Sequence, residues 1–275
     1  MKYLILLAAL TITISSFMQK KDINWVAIGD SITYLNDHPD ETGNRITKGY
    51  MTRVTEQLPY IHFTNQGHNG WTAGGIADSF DKLGVPKADV YSVFLGTNDW
   101  WQGRPLGTID NYKNDSGNKT VYGSFRIIIN KLRNINGAAK IILITPMQRV
   151  DFVYINDFNN NAWGSYKPKN GQMLEQFANA VNEIAKYENF DVVDLYHTSS
   201  MDITNLVNFK RLRDSVTKTY KNYPYPDFIG VPFNPKTDEY PYPVDAQNVT
   251  YDGLHPSDKG FGIIADKLVD ILKKY

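Results

Sequence analysis

Apolar residues along this chain follow two alternating rhythms. Short continuous runs rich in β-branched and aromatic residues predict strands at Trp25–Gly29, Ile61–Gln66, Ala88–Leu95, Lys140–Thr145 and Phe190–Leu195. The third and fourth, within "ADVYSVFLGTND" and "KIILITP", have no polar alternation, which fits strands buried on both faces. Between the runs apolar residues recur at helical spacing. This predicts helices over Tyr50–Leu58, Ile76–Leu83, "SFRIIINKLRNI" after Gly123, "GQMLEQFANAVNEIAKYE" from Gly171, and "SDKGFGIIADKLVDILKKY" to the end. In the last, Ile263, Ile264, Leu268 and Ile271 mark one face and Pro256 and Ser257 the start. Strand and helix in alternation predict a flavodoxin-like three-layer α/β/α sandwich around a five-stranded parallel sheet. Ligands of such sheets bind beyond the carboxyl ends of the strands.

Two segments break the rhythm. Residues 148–170 are rich in Asn, Asp and aromatics, and residues 197–250 include "YKNYPYPDFIGVPFNPKTDEYPYPVD". Unpatterned stretches this long are usually functional or disordered. Their many Tyr and Phe favour packing, so both are read as excursions over the face of one domain, residues 21–275, the second being a long insertion at about 197–250. The first sixteen residues, "MKYLILLAALTITISS", carry an early lysine, an apolar run and small residues suited to cleavage. They predict a secretory signal peptide within residues 1–20 and a periplasmic or extracellular protein. The run is short for a membrane span, so no stable membrane anchor is expected.

Composition removes several classes. Lys+Arg and Asp+Glu both number 29, so there is no basic footprint for nucleic acid. No cysteine is present, which excludes disulfides, thiolate metal sites and a cysteine nucleophile. His38, His62, His68 and His197 show no metal-ligand spacing and read as surface or loop residues, with His68 near the site. No metal or other cofactor is expected.

The chemistry gathers in four polar clusters. Ser31 follows the first strand, "NQGHNGW" the second and "GTNDWW" the third, while "DGLHP" immediately precedes the final helix. The predicted fold brings all four to one edge of the sheet. A serine hydroxyl needs a base to become a nucleophile, and an imidazole serves. His255 can be that base, with Asp252 accepting its other ring N–H. The N–H groups of Ser31 and Gly70 and the amide of Asn98 can stabilise an oxyanion. Each residue also has a plain structural role when taken alone: Ser31, Asn98 and Asp99 as helix caps, Asp252 in a turn, His255 at a helix start.

The ordered set resembles the SGNH hydrolase superfamily, the GDSL esterases, from Trp25 to the C-terminus outside the two excursions. "GDS" at Gly29–Ser31 is similar to the family's first block, with Ser31 as nucleophile. Gly70, or in the other register Gly67, matches the oxyanion glycine; Asn98 of "GTND" matches the oxyanion asparagine; "DGLH" matches Asp-x-x-His, placing Asp252 and His255 in the triad. The Gly-x-Ser-x-Gly elbow of the larger α/β-hydrolase fold is absent.

The resemblance implies a serine esterase acting on a small-molecule or glycan ester. Tyr34, Trp71, Trp100 and Trp101 are candidate substrate walls, with core packing as the alternative for each. Arg149 is a candidate contact for an acidic sugar, or forms a surface ion pair. Export and the tryptophans favour a carbohydrate acetyl esterase. A lysophospholipase or short-chain lipase is the second substrate class, and a non-catalytic carbohydrate-binding module the reading from another class. A flavodoxin-like cofactor binder is disfavoured because "GDSITY" lacks a run of phosphate-cradling donors.

Overall fold

The computed structural model describes residues 21–275. The expected export signal therefore lies outside the described residues. In chain order the strands are β1 (Ile23–Gly29), β2 (Ile61–Gly67), β3 (Val90–Phe94), β4 (Lys140–Ile144), β5 (Phe152–Tyr154), β6 (Asp157–Ala162), β7 (Asp191–Val193), β8 (Lys210–Arg213) and β9 (Tyr220–Tyr223). The α-helices are α1 (Ser31–Tyr34), α2 (Tyr50–Gln57), α3 (Ala73–Ser79), α4 (Thr97–Trp101), α5 (Ile109–Lys113), α6 (Val121–Ile135), α7 (Leu174–Glu188) and α8 (Asp258–Leu272).

Five strands form one parallel sheet in the order β2-β1-β3-β4-β7, the arrangement expected from the sequence. Their carboxyl ends are in register. Gly29 pairs with Gly67 on one side and Phe94 on the other, Phe94 with Ile144, and Ile144 with Val193. The chain leaves β1 towards β2 and returns to β3 on the opposite side, which opens a crevice at the end of β1.

Burial explains the unbroken apolar runs. Trp25 and Ala27 of β1 face a layer built by Tyr50, Met51 and Val54 of α2 and by Phe261, Ile264 and Leu268 of α8. Val26 and Ile28 face the opposite layer, with Ile76 of α3, Phe125, Ile128 and Leu132 of α6, and Phe177, Val181 and Ile184 of α7. The Trp25 indole N–H, buried between strands, donates to Ser92 Oγ at 2.9 Å. The α8 start follows the sequence signal, for Ser257 caps it by accepting from Gly260 N. Helix α3 begins earlier than apolar spacing suggests: Thr72 caps at Gly75 N, and two glycines conceal its first turn. The segment then tightens into a 3₁₀ turn at Phe80–Lys82.

Both excursions carry structure that pattern did not reveal. The first folds as the antiparallel hairpin β5–β6, and the second contains the hairpin β8–β9. Met201, Leu206, Val207, Leu212, Phe228 and Tyr242 of the second are fully buried within the α2–α8 layer. A buried ion pair joins the two, Lys210 Nζ to Asp151 Oδ2 at 2.9 Å. Asp151 also accepts the Tyr166 hydroxyl and Gly164 N. Burial lowers the Lys210 pKa, opposed by Asp151. Removing one partner of such a pair strands the other charge inside. Lys210→Met is therefore expected to cost about 3 kcal/mol of stability, read by chemical denaturation; a loss below about 1 kcal/mol would show the pair to be dispensable.

Candidate active site

The aligned strand ends deliver the site. Ser31 lies two residues beyond β1, Gly70 three beyond β2, Asn98 four beyond β3 and Arg149 five beyond β4. All four line one cleft of about 360 Å³, together with Trp101 and His255. That volume suits a small organic group.

Ser31 is the first residue of α1, and Asp30, not Ser31, is the N-cap: its Oδ1 accepts Ile32 N at 3.0 Å. The serine is thereby free of capping duty, and its N–H is among the first-turn donors without a partner in the helix. His255 Nε2 lies 2.8 Å from Ser31 Oγ, and His255 Nδ1 lies 2.7 Å from Asp252 Oδ2. The second carboxylate oxygen, Oδ1, accepts Leu254 N at 3.0 Å and His255 N at 2.7 Å. Asp252 is wholly buried and its charge is fully hydrogen-bonded. Phe152 meets the imidazole edge-on and Tyr251 stacks on it, fixing the ring plane. An imidazole accepting from a hydroxyl on one side and donating to a carboxylate on the other is the order that nucleophilic catalysis requires.

Hairpin β5–β6 and the chain before it brace this loop. Val150 N donates to Gly253 O at 3.0 Å and Val153 N to Asp252 O at 3.3 Å. Gly253 has φ +91°, and a Cβ there would fall 2.1 Å from Asp151 O, so only glycine fits between the two segments.

Gly70 occupies the third position of the His68–Trp71 turn, closed by Trp71 N to His68 O at 3.2 Å, and has φ +74° as such a turn demands. Nothing crowds it on the cleft side, and its N–H meets no acceptor among the described residues. Gly67 does not line the cleft; a Cβ there would fall 2.1 Å from Tyr34 N, so its role is to let β2 approach α1. Of the two glycines only Gly70 lines the cleft. Asn98 Nδ2 donates to Trp71 O at 3.0 Å and reaches Asp30 Oδ2 at 3.4 Å.

The candidate substrate walls divide. Trp101 lines the cleft, edge-on to Trp163 with ring centroids 4.7 Å apart. Trp100 does not: it is fully buried, with Nε1 donating to Gln172 O at 2.9 Å, because an indole on the inner side of α4 joins the core. Trp71 stacks on His68 and lines a separate shallow groove. Tyr34 turns away to stack on His38 and donate to Glu41 Oε1 at 2.8 Å. Arg149 lines the cleft but is no surface ion-pair residue, being 2% exposed. His68 lies beside Trp71 rather than in the cleft. Sequence reasoning missed Glu41, Phe152, Tyr154, Asn160 and Tyr251. Tyr251 alone had a signal, adjoining "DGLH"; the others stand on segments without periodicity.

These features define an ester-bond hydrolase of the three-layer α/β type. A model of the GDSL-like lipase/acylhydrolase family matches residues 27–263, and the chain belongs to that family. A crystal structure described as a possible lipase from Chitinophaga pinensis DSM 2588 is 64% identical, with TM-score 0.91 over 92% of this chain and 98% of that one. More distant likenesses, showing the fold alone, include an acetyl xylan esterase, 19% identical with TM-score 0.54 over 91% of this chain and all of that one. An acetylxylan esterase from Geobacillus stearothermophilus, in a catalytic mutant, is 18% identical with TM-score 0.51 over 92% and 95% of the two chains. No curated protein matches.

Asp30 beneath the serine is 2% exposed, and burial pushes its carboxyl up to about 6, against the lowering effect of the Ile32 hydrogen bond. The folded state then holds a proton that the unfolded state releases near 3.8. Stability contributed by this group is present below about pH 4 and is lost as pH rises through about 6. Asparagine keeps the cap without the charge. Relative to wild type, Asp30→Asn should gain about 3 kcal/mol between pH 4 and pH 7, measured by urea denaturation at both; a difference independent of pH would show that Asp30 does not titrate there.

Proposed function

We propose that this protein is an exported serine esterase that hydrolyses carboxylic esters through Ser31, His255 and Asp252. The unbroken hydrogen-bonded line from Asp252 to Ser31 at the floor of the cleft carries the reading. Ser31 Oγ attacks the acyl carbon while its proton passes to His255 Nε2; Asp252 holds the Nδ1 proton and stabilises the imidazolium. The N–H groups of Gly70 and Ser31 and the Asn98 amide receive the oxyanion, the amide giving up its long contact to Asp30. Collapse of the tetrahedral intermediate expels the alcohol, which takes the proton from His255. Water, activated by the same imidazole, then attacks the acyl-enzyme and releases the acid.

The favoured substrate is an acetylated carbohydrate. A small cleft walled by Trp101 and Phe152 suits a short acyl group beside a sugar ring, and the distant acetylxylan esterases share the fold. A short-chain lipase is the second reading, favoured by the description of the 64% identical relative. Export rests on the sequence of residues 1–20. Among the described residues no helix is long and apolar enough to cross a membrane.

Hydrolysis of p-nitrophenyl esters from acetate to long acyl chains tests both substrate readings. A steep preference for acetate is expected, and a preference for long chains would replace the carbohydrate reading by the lipid one. Ser31→Ala and His255→Ala should each lower kcat at least about 10³-fold with the fold intact by circular dichroism; retained turnover would remove that residue from the mechanism. Asn98→Ala should lower kcat about 10²-fold, and an unchanged kcat would exclude its amide as an oxyanion donor.

A further inference from the structure

Arg149 is a buried cation without a hydrogen-bonded partner. Its Nε and Nη2 find no acceptor, and no carboxylate stands within ion-pair distance of it among the described residues. A guanidinium keeps its charge in proteins, and although burial lowers its pKa to about 10, it stays protonated at neutral pH. Aromatic faces surround it instead, with the guanidinium carbon 5.4 Å from the Trp101 ring centroid, 5.7 Å from Trp100 and 5.9 Å from Phe152. Asp252 and Asp151 act on it from farther off, and both are committed, to His255 and to Lys210. Unsatisfied buried donors on a charged group are costly and rare.

The same side chain lines the cleft that holds Ser31 and His255, and it is the only arginine or lysine among the lining residues. Glu41, the cleft's acid, is tied to the Tyr34 hydroxyl. Three ring faces pack around the guanidinium, so its donors are positioned before any ligand arrives. A carboxylate matches those donors in charge and geometry.

We propose that Arg149 determines specificity by receiving a carboxylate carried by the ester substrate. The carboxylate belongs either to the alcohol side, as in an acetylated uronic acid, or to the acyl side, as in a hemiester of a dicarboxylic acid. The proposal rests on the serine-esterase reading above.

Matched pairs test it with the full chain. On the alcohol side, acetate release is compared between O-acetylated galacturonic acid and O-acetylated galactose; on the acyl side, fluorescence release between 4-methylumbelliferyl adipate hemiester and the hexanoate. One acidic member should exceed its neutral partner by about 10- to 100-fold in kcat/KM, chiefly through KM, and the pair that responds identifies the side. In Arg149→Met the ratio should fall to about one, while Arg149→Lys keeps part of it. Equal rates within both pairs in the wild-type enzyme, or an undiminished ratio in Arg149→Met, would overturn the proposal. The wild-type comparison decides even if the methionine variant does not fold. Ser31→Ala separates the two readings: neutral esters cleaved by wild type and not by this variant leave the serine mechanism standing whatever the ratios are, and equal cleavage by both removes it.

Discussion

A wholly buried carboxylate, Asp252, dictates the shape of everything near the cleft. An ionised carboxylate taken out of water must have its oxygens filled by donors. Asp252 meets this with two backbone N–H groups from its own turn and one imidazole N–H. The turn must therefore be tight enough to fold Leu254 and His255 back over the side chain, which forces positive φ at Gly253. That glycine in turn lets the segment at Asp151 lie against the loop, and the hairpin that follows supplies Phe152 to the edge of the imidazole. One acceptor's demand thus connects the last helix, the first excursion and the end of β1, 224 residues distant along the chain.

The sheet contributes position rather than chemistry. Its five carboxyl ends stand level, so β1, β2, β3 and β4 need only two to five further residues to bring a residue to the same cleft. Close strand packing on both faces leaves little freedom for that edge to shift. The first excursion then walls the cleft above it, and the Lys210–Asp151 pair ties the second excursion to the first.

Much of this was legible in the chain because it depends on local signals. Continuous apolar runs bounded by glycine or polar residues marked all five sheet strands to within about two residues, and the polar clusters directly after three of them marked the edge. Those clusters gave Ser31, Gly70 and Asn98 as candidates, and the cluster before the final helix gave Asp252 and His255. The substrate walls were less legible, because whether an indole faces a cleft or the core depends on helix rotation: adjacent Trp100 and Trp101 take opposite environments. The hairpins escaped notice for a different reason. "DFNNNA" in β6 is polar apart from Phe158 and Ala162, and in β8 the inward positions are Lys210 and Leu212, so burial alternates where apolar character does not. Arg149 could be placed near the site, but its burial follows from rings contributed by two separate segments, α4 and β5.

The distribution of buried charge is informative in itself. Asp30 and Asp99 have pKa values raised to about 6, and Arg149 and Lys210 have theirs lowered, with burial the leading cause in every case. Each is a group that folding holds against its preference for water. Buried ionic groups can often be replaced by apolar ones without loss of stability, so their presence calls for a reason other than the fold. The strands of the main sheet are filled by Trp25, Val26, Ile28, Tyr91 and Leu143, whereas Asp30 adjoins the serine, Asp99 follows Asn98 on α4, Arg149 lines the cleft, and Lys210 stands apart, paired with Asp151. Perturbed ionisable groups concentrate where charge must be handled during a reaction. The same edge that presents the proposed nucleophile therefore carries the electrostatic strain, which is the pattern expected when the requirements of a site, rather than those of a core, have selected the residues.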